Sequence, residues 1–231
     1  MRLYVIGDVH GCADLLDQIL ARIDADLVAN PVNQAVEILL GDYIDRGPAS
    51  RGVLDRLIAR SRARSMVFLK GNHETYVERF LADPSVLGEW RQFGGLETLM
   101  SYGLLPSVNI KLTEPEGVAA AFDDILPDSH RRFLSDLKTS FVCGDFFFVH
   151  AGVRPGIALE KQAEEDLLWI RDDFLLCEDD LGKVVVHGHT PVRGPDIRSN
   201  RINIDTGAYA TGRLTCLKLE DDKMYFFHAA R

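Results

Sequence analysis

Residues 2–11 read RLYVIGDVHG, residues 35–47 AVEILLGDYIDRG and residues 65–74 SMVFLKGNHE. In each, an apolar run ends in glycine, and Asp or Asn follows at once. Related clusters close FFFVHAG (146–152) and KVVVHGHT (183–190). Short apolar runs bounded by glycine read as buried strands. The stretches between the first three are amphipathic. Leu15, Leu16, Ile19, Leu20 and Ile23 fall at helical spacing within Asp14 to Ala25, and Val53, Leu54, Leu57 and Ile58 do so after Pro48, a residue suited to a helix start. Strand, helix, strand, helix, strand predicts parallel βαβ units. In such sheets the ligand site lies beyond the carboxyl ends of the strands. The polar clusters sit at that edge.

The middle of the chain, about residues 75–140, changes character. It carries Gly94-Gly95, several prolines and helical runs. Trp90, Phe93, Leu96, Leu99 and Met100 read as one packed helical face. These helices are expected to cover the sheet, to cap the site, or both; Leu104, Leu105 and Phe122 fit core, cap or interface equally. From residue 141 the chain is β-rich, with a hairpin turning at Gly144-Asp145 and strands near 183–187, 201–205, 213–219 and 223–228. No repeat or flexible linker interrupts it. The expectation is a single domain over 1–231, two packed sheets with helices outside.

A chain of 231 residues is long enough for a well-buried core. No run of ~18 apolar residues is present, so no membrane-spanning helix and no membrane partner are expected. The N-terminus enters a strand without a cleavable apolar segment. Cys12, Cys143, Cys177 and Cys216 show neither zinc-like nor disulfide-rich spacing, which fits a reduced, cytoplasmic setting. The formal charge of −9 argues against stable nucleic-acid binding, and so against a nuclease. Arg51, Arg56, Arg60, Arg62 and Arg64 form a local basic patch, with Arg56, Arg60 and Arg64 on one helical face. It reads first as a solvated face and second as a dock for acidic substrates.

The clusters carry the ligand types of a hard divalent metal centre. Asp8 and His10, two apart at a strand end, can point to the same side and hold one ion. Gly7 and Gly11 are expected to let the backbone turn tightly around them. Asp42, at the end of the next strand, has two oxygens and can bridge two ions. Asn72 offers a carbonyl oxygen to the second ion, and His150 and His189 complete its shell. Five of the seven histidines lie in these clusters, a concentration that core packing does not need. Two such ions together activate water and clamp a phosphoryl group. Arg46 has the planar donors that phosphate oxygens require. Arg171, in LLWIRDD, either does the same or pairs with Asp172 or Asp173. His73 suits a general acid protonating the leaving oxygen, oriented by Asp45, although Asp45 also fits a turn cap. Trp90 or Tyr209 could stack on a nucleobase, and both equally suit a core.

Taken in order, G-D-V-H-G, G-D-Y-I-D-R-G, G-N-H-E, H-A-G and H-G-H-T-P resemble the phosphoprotein phosphatase family of metallophosphoesterases, and most of all its compact bacterial and phage members of the serine/threonine type. The motifs run from residue 7 to residue 190, and NIDTGAY (203–209) extends the likeness. The resemblance implies a four-layer α/β/β/α sandwich around a dinuclear centre. The ions are most often manganese, with iron or zinc as alternatives. It assigns Asp8, His10 and Asp42 to the first ion, and Asp42, Asn72, His150 and His189 to the second. His73 and Asp45 become the acid pair, and Arg46 and Arg171 the phosphate clamp. His189 is preferred to His187, which stands where relatives carry an apolar residue, although both could reach metal. The tail NIDTGAYATGRL departs from the large eukaryotic members. The expected activity is serine/threonine protein phosphatase, by direct in-line attack of a metal-bridging hydroxide, on phosphoproteins or small phosphoesters. The alternative is hydrolysis of dinucleoside tetraphosphates. A non-catalytic scaffold is disfavoured by the complete set of site residues. The oligomeric state is open.

Overall fold

The computed structural model describes residues 1–105 and 114–231. In the first sheet, β1 (Arg2–Ile6), β2 (Ala35–Leu39) and β3 (Met66–Phe68) run parallel, as the βαβ pattern predicts. β9 (Arg213–Glu220) and β10 (Lys223–Ala230) add antiparallel strands, for the order β10-β9-β1-β2-β3. The second sheet contains β4 (Ser140–Cys143), β5 (Phe146–Val149), β6 (Val184–His187), β7 (Asp196–Ile197) and β8 (Arg201–Asn203), in the order β4-β5-β6-β8-β7. β4 and β5 form the expected hairpin, with Gly144 at φ 57° in its two-residue turn.

Period-two alternation sorts the strand residues into layers. Leu3 and Val5 of β1, Val36 and Ile38 of β2, Phe148 of β5 and Val186 of β6 meet between the sheets. Tyr4 and Ile6 face the opposite way, toward α1 (Ala13–Ala29) and α2 (Ser50–Ser61). Phe147, Val149 and Val185 face α8 (Glu164–Trp169) and α9 (Asp172–Leu175), through Leu167 and Phe174. The central strands β1, β2, β5 and β6 are buried on both faces, which is why they read as continuous apolar runs. The result is the four-layer α/β/β/α sandwich.

Five helices fill the described part of the middle segment: α3 (Glu74–Ala82), α4 (Leu87–Gln92), α5 (Gly95–Ser101), α6 (Pro115–Ile125) and α7 (Asp128–Ser135). Residues 106–113 of the expected helical segment lie outside the described residues. Val77, Phe80, Trp90, Leu99, Phe122 and Phe133 join the core on the helical side of the first sheet. Leu104 is buried there too, while Leu105 is exposed. The single helical face expected from Trp90 to Met100 is in fact broken. Gly94, at φ 93°, separates α4 from α5, and Met100 is exposed. A short helix, α10 (Ala208–Thr211), precedes β9.

On the arginine face of α2, Arg56 and, just beyond the helix, Arg64 are exposed and Arg60 is half-buried, and all three are paired with carboxylates. Arg56 bonds Asp17, Arg60 bonds both Asp24 and Glu37, and Arg64 bonds Asp24, so the stripe zips α2 to α1 and β2. All four cysteines are free thiols. No described helix is long and apolar enough to cross a membrane.

Candidate active site

β1, β2, β3, β5 and β6 deliver their following loops to one edge of the sandwich. There Asp8, His10, Asp42, Asp45, Asn72, His73, His150 and His189 are all buried. Among the described residues six non-glycine positions have positive φ, and five belong to this edge: His10 (43°), Asp42 (51°), Asp45 (69°), Arg46 (67°) and His189 (65°). Such conformations cost free energy and persist where surrounding contacts over-determine them. Strand pleating therefore does not aim Asp8 and His10. β1 ends at Ile6, and the left-handed turn at His10 brings its ring inward. Gly11, at φ 62°, turns as the sequence suggests. Gly7 is required for another reason: a Cβ there would lie 2.6 Å from the Ile204 carbonyl oxygen.

Asp42 is the hub. His10 Nε2 stands 3.3 Å from its Oδ2, and His150 Nε2 stands 3.4 Å from its Oδ1. Burial pushes the Asp42 carboxyl up, but the His150, His73, His10 and His189 imidazoles outweigh it and hold it well below the usual carboxylate range. Asn72 Oδ1 lies 3.0 Å from His150 Nε2 and 2.9 Å from His189 Nδ1. His10, Asp42 and His73 form one group of converging donor atoms; Asp42, His150 and His189 form another. Asp8 Oδ2 accepts the His189 N–H at 2.8 Å, while its buried Oδ1 has no partner.

These contacts test whether cations fit. His10 Nδ1 donates to the Ile44 carbonyl at 3.0 Å and His150 Nδ1 to the Leu40 carbonyl at 2.9 Å. A carbonyl only accepts, so the proton of each neutral ring sits on Nδ1. Burial drives His10 down to about 3 and lowers His150. At neutral pH their Nε2 lone pairs therefore face carboxylate and amide oxygens, acceptor against acceptor. A cation between them removes that conflict. Asp8, pushed up by burial and by the charges of Asp205 and Asp42, gains the same way. The donor set of carboxylates, imidazoles and one amide suits a hard or borderline divalent ion.

The remaining residues surround this hub. His73 Nδ1 donates to Asp45 Oδ2 at 2.7 Å, and His73 Nε2 points into the cluster, 3.9 Å from Asp42 Oδ2. Burial lowers the His73 pKa, but the charges of Asp42 and Asp45 outweigh it, so the net shift is upward and favours the imidazolium. Asp45 is more than a turn cap, since its carboxylate takes the His73 proton bond. Arg46 is half-buried and lies 4.6 Å over the Tyr209 ring, which itself packs edge-on against His10. Arg171 is exposed; it donates to Thr190 at 3.0 Å and pairs with neither Asp172 nor Asp173. Its positive charge reaches His150 and His189.

His187 stands outside both donor groups. Two residues beyond Val185 on β6, it faces α9, with its ring 4.9 Å from Phe174. Trp90 is fully buried and so closed to a nucleobase, whereas Tyr209 is 38% exposed at the rim.

Two residues at the site have no role that the sequence motifs assign. Glu74 accepts from the backbone N–H groups of Asp42, Tyr43 and Gly71 at 2.8–2.9 Å, tying the second and third strand loops together. Asp205 is buried and pushed up to about 6, chiefly by burial. Its charge bears on Asp8, and it caps Gly207 N–H at 2.8 Å. Their only signals in the sequence are the final Glu of GNHE and the Asp of NIDTGAY.

The calcineurin-like phosphoesterase family model matches residues 1–222. The chain is 28% identical over 242 residues to the asymmetrical bis(5'-nucleosyl)-tetraphosphatase PrpE of Halalkalibacterium halodurans, covering 96% of this chain and 91% of the relative. Among solved structures, a candidate diadenosine tetraphosphatase superposes with a TM-score of 0.65 at 20% identity, over 99% of this chain and 93% of the other. A cold-active protein-tyrosine phosphatase of a Shewanella species gives a TM-score of 0.62 at 14% identity, over 99% and 80%. With nearly its whole length matched by the family model, the chain belongs to the calcineurin-like phosphoesterases.

Proposed function

We propose that this protein is a two-metal phosphohydrolase that cleaves dinucleoside tetraphosphates asymmetrically. The observation that carries the metal-dependent chemistry is the Asp42 carboxylate, whose two oxygens face different sets of metal-type donors. The substrate reading draws on the PrpE relatives, which are named for that activity and align over more than nine-tenths of the chain. The phosphoprotein reading suggested by the motifs thus gives way to the dinucleotide alternative.

In this reading Asp8, His10 and Asp42 hold one divalent ion, and Asp42, Asn72, His150 and His189 the other. Bound there, the ions would lower the pKa of water and draw charge from the phosphoryl oxygens. Leu40 and Ile44 fix the His150 and His10 tautomers through their carbonyls, so each Nε2 keeps its lone pair. Arg46 and Arg171 reach the phosphoryl oxygens from the rim and stabilise charge as it develops there. His73 carries a proton at Nε2 for the departing oxygen, and Asp45 keeps the ring oriented through Nδ1–H.

A second reading, hydrolysis of serine or threonine phosphoesters, is favoured by one observation. The buried His73–Asp45 pair is built to protonate a leaving group. An alkoxide needs that proton more than a nucleotide phosphate does.

The test uses protein stripped of metal and reloaded with manganese, offered diadenosine tetraphosphate, a phosphoserine peptide and a phosphotyrosine peptide side by side. The expected result is ATP with AMP from the dinucleotide and little turnover of peptides. Two ADP molecules would contradict the asymmetry. Peptide turnover with an inert dinucleotide would establish the second reading.

A further inference from the structure

We propose that Trp90 and Thr98, in the helical segment outside the strand loops, are positioning residues that fix the Asp45 carboxylate and through it the His73 ring. The inference rests on the reading of His73 as the proton donor. Asp45 is fully buried, and a buried carboxylate is costly unless its lone pairs are met. Oδ2 accepts Trp90 Nε1–H at 2.9 Å beside the His73 bond. Oδ1 accepts the Thr98 hydroxyl at 2.6 Å. The same Thr98 oxygen lies 2.9 Å from the Asp45 backbone N–H and accepts from it, and Ser50 Oγ stands 3.1 Å from that N–H. Thr98 thus closes a ring around Asp45 and holds it in its left-handed conformation at φ 69°. Together Trp90 and Thr98 leave the carboxylate one orientation, and His73 follows it.

The otherwise unexplained Gly94-Gly95 pair serves the same arrangement. A Cβ on Gly94 would lie 2.5 Å from the Arg46 nitrogen, and one on Gly95 would lie 2.5 Å from the Trp90 indole. Gly94 also accepts the Arg46 N–H at 3.2 Å. The α4–α5 hairpin therefore seats directly on the Asp45-Arg46 turn, with the indole flat against its own backbone. Phe80 and Phe122 wall the indole on its other sides, at 5.3 and 6.1 Å between ring centroids. Core packing alone would require an apolar ring here. It would not require an N–H aimed at a buried carboxylate, nor a hydroxyl bonded to both ends of the same residue.

The experiment compares manganese-loaded wild type, Trp90→Phe, Thr98→Val, Thr98→Ser and His73→Asn on phenyl phosphate, a poor leaving group, and 4-nitrophenyl phosphate, a good one. The expected result is a kcat loss of about 10- to 100-fold on phenyl phosphate for Trp90→Phe and Thr98→Val, the range for residues that orient a working group. Loss on 4-nitrophenyl phosphate should be much smaller, KM should stay constant, and Thr98→Ser should restore kcat. In the zinc-loaded proteins, where no paramagnetic ion broadens it, the hydrogen-bonded Nδ1–H proton signal of His73, assigned by its absence in His73→Asn, should shift in both variants. Each Thr98 variant differs from the wild type by one small group, so the comparison holds even if Trp90→Phe folds poorly. Equal losses on both substrates, losses confined to KM, or no rescue by serine would overturn the proposal. If His73→Asn shows the leaving-group dependence and the others do not, this inference alone fails; if His73→Asn lacks it, the proton-donor reading fails as well.

Discussion

Gly188 lies against the carboxylate of Asp8 so closely that a Cβ would overlap Asp8 Oδ1. That oxygen is the buried one without a hydrogen-bond partner. Gly188→Ala should therefore displace the proposed first-ion ligand while leaving Asn72, His150 and His189 in place. The expected outcome is a fall from two bound manganese ions per chain to about one, measured by elemental analysis after gel filtration, with most activity lost. Two tightly held ions in the variant would remove Asp8 from the metal shell.

His73 is held by Asp45 and its Nε2 faces Asp42, yet its proposed work is on a proton. His73→Asn should lower kcat on phenyl phosphate, whose departing oxygen needs a proton, by about 10²- to 10⁴-fold, the usual worth of a positioned acid, with both ions retained. Loss of metal and activity together would make His73 a ligand.

The stability of the metal-stripped protein should fall in acid partly through Asp26. Burial raises its pKa, but hydrogen bonds from Tyr4, Lys218 and Asn30 outweigh that, and the net shift is downward. A depressed carboxylate contributes stability that is complete above its unfolded value of about 3.9 and is lost as pH falls through the folded value. Denaturant unfolding from pH 5 to pH 2 should show a shallower pH dependence in Asp26→Asn than in wild type. The difference is at most about 1.4 kcal/mol per pH unit, one proton's worth. Equal slopes would show that Asp26 titrates alike folded and unfolded.

Much of the fold and of the candidate site is legible in the sequence because strand ends in a βαβ sheet are predictable and the polar clusters sit on them. Apolar runs mark β1, β2 and β3, and the polar residues directly after the runs include Asp8, Asp42, Asn72 and His150. The feature that pulls Asp8 and His10 together is not legible, since it is a left-handed turn and not strand alternation. The pairing of the α2 arginines is not legible in the sequence because Asp17, Asp24 and Glu37, which neutralise them, are distant along the chain. Trp90 reads as core, and Thr98 carries no signal, for the same reason. Only the fold brings them to Asp45, 45 and 53 residues away. The helical-face pattern misplaces Met100 because it does not register the break at Gly94.

The claim on which the proposed chemistry depends is that Asp42 joins two cation sites. The most direct measurement is the manganese stoichiometry of wild type and Asp42→Asn by isothermal titration of stripped protein, with circular dichroism to check that both are folded. Two sites in the wild type, and the loss or severe weakening of both in the folded variant, are predicted. A folded variant that still binds two ions with wild-type affinity would contradict the account.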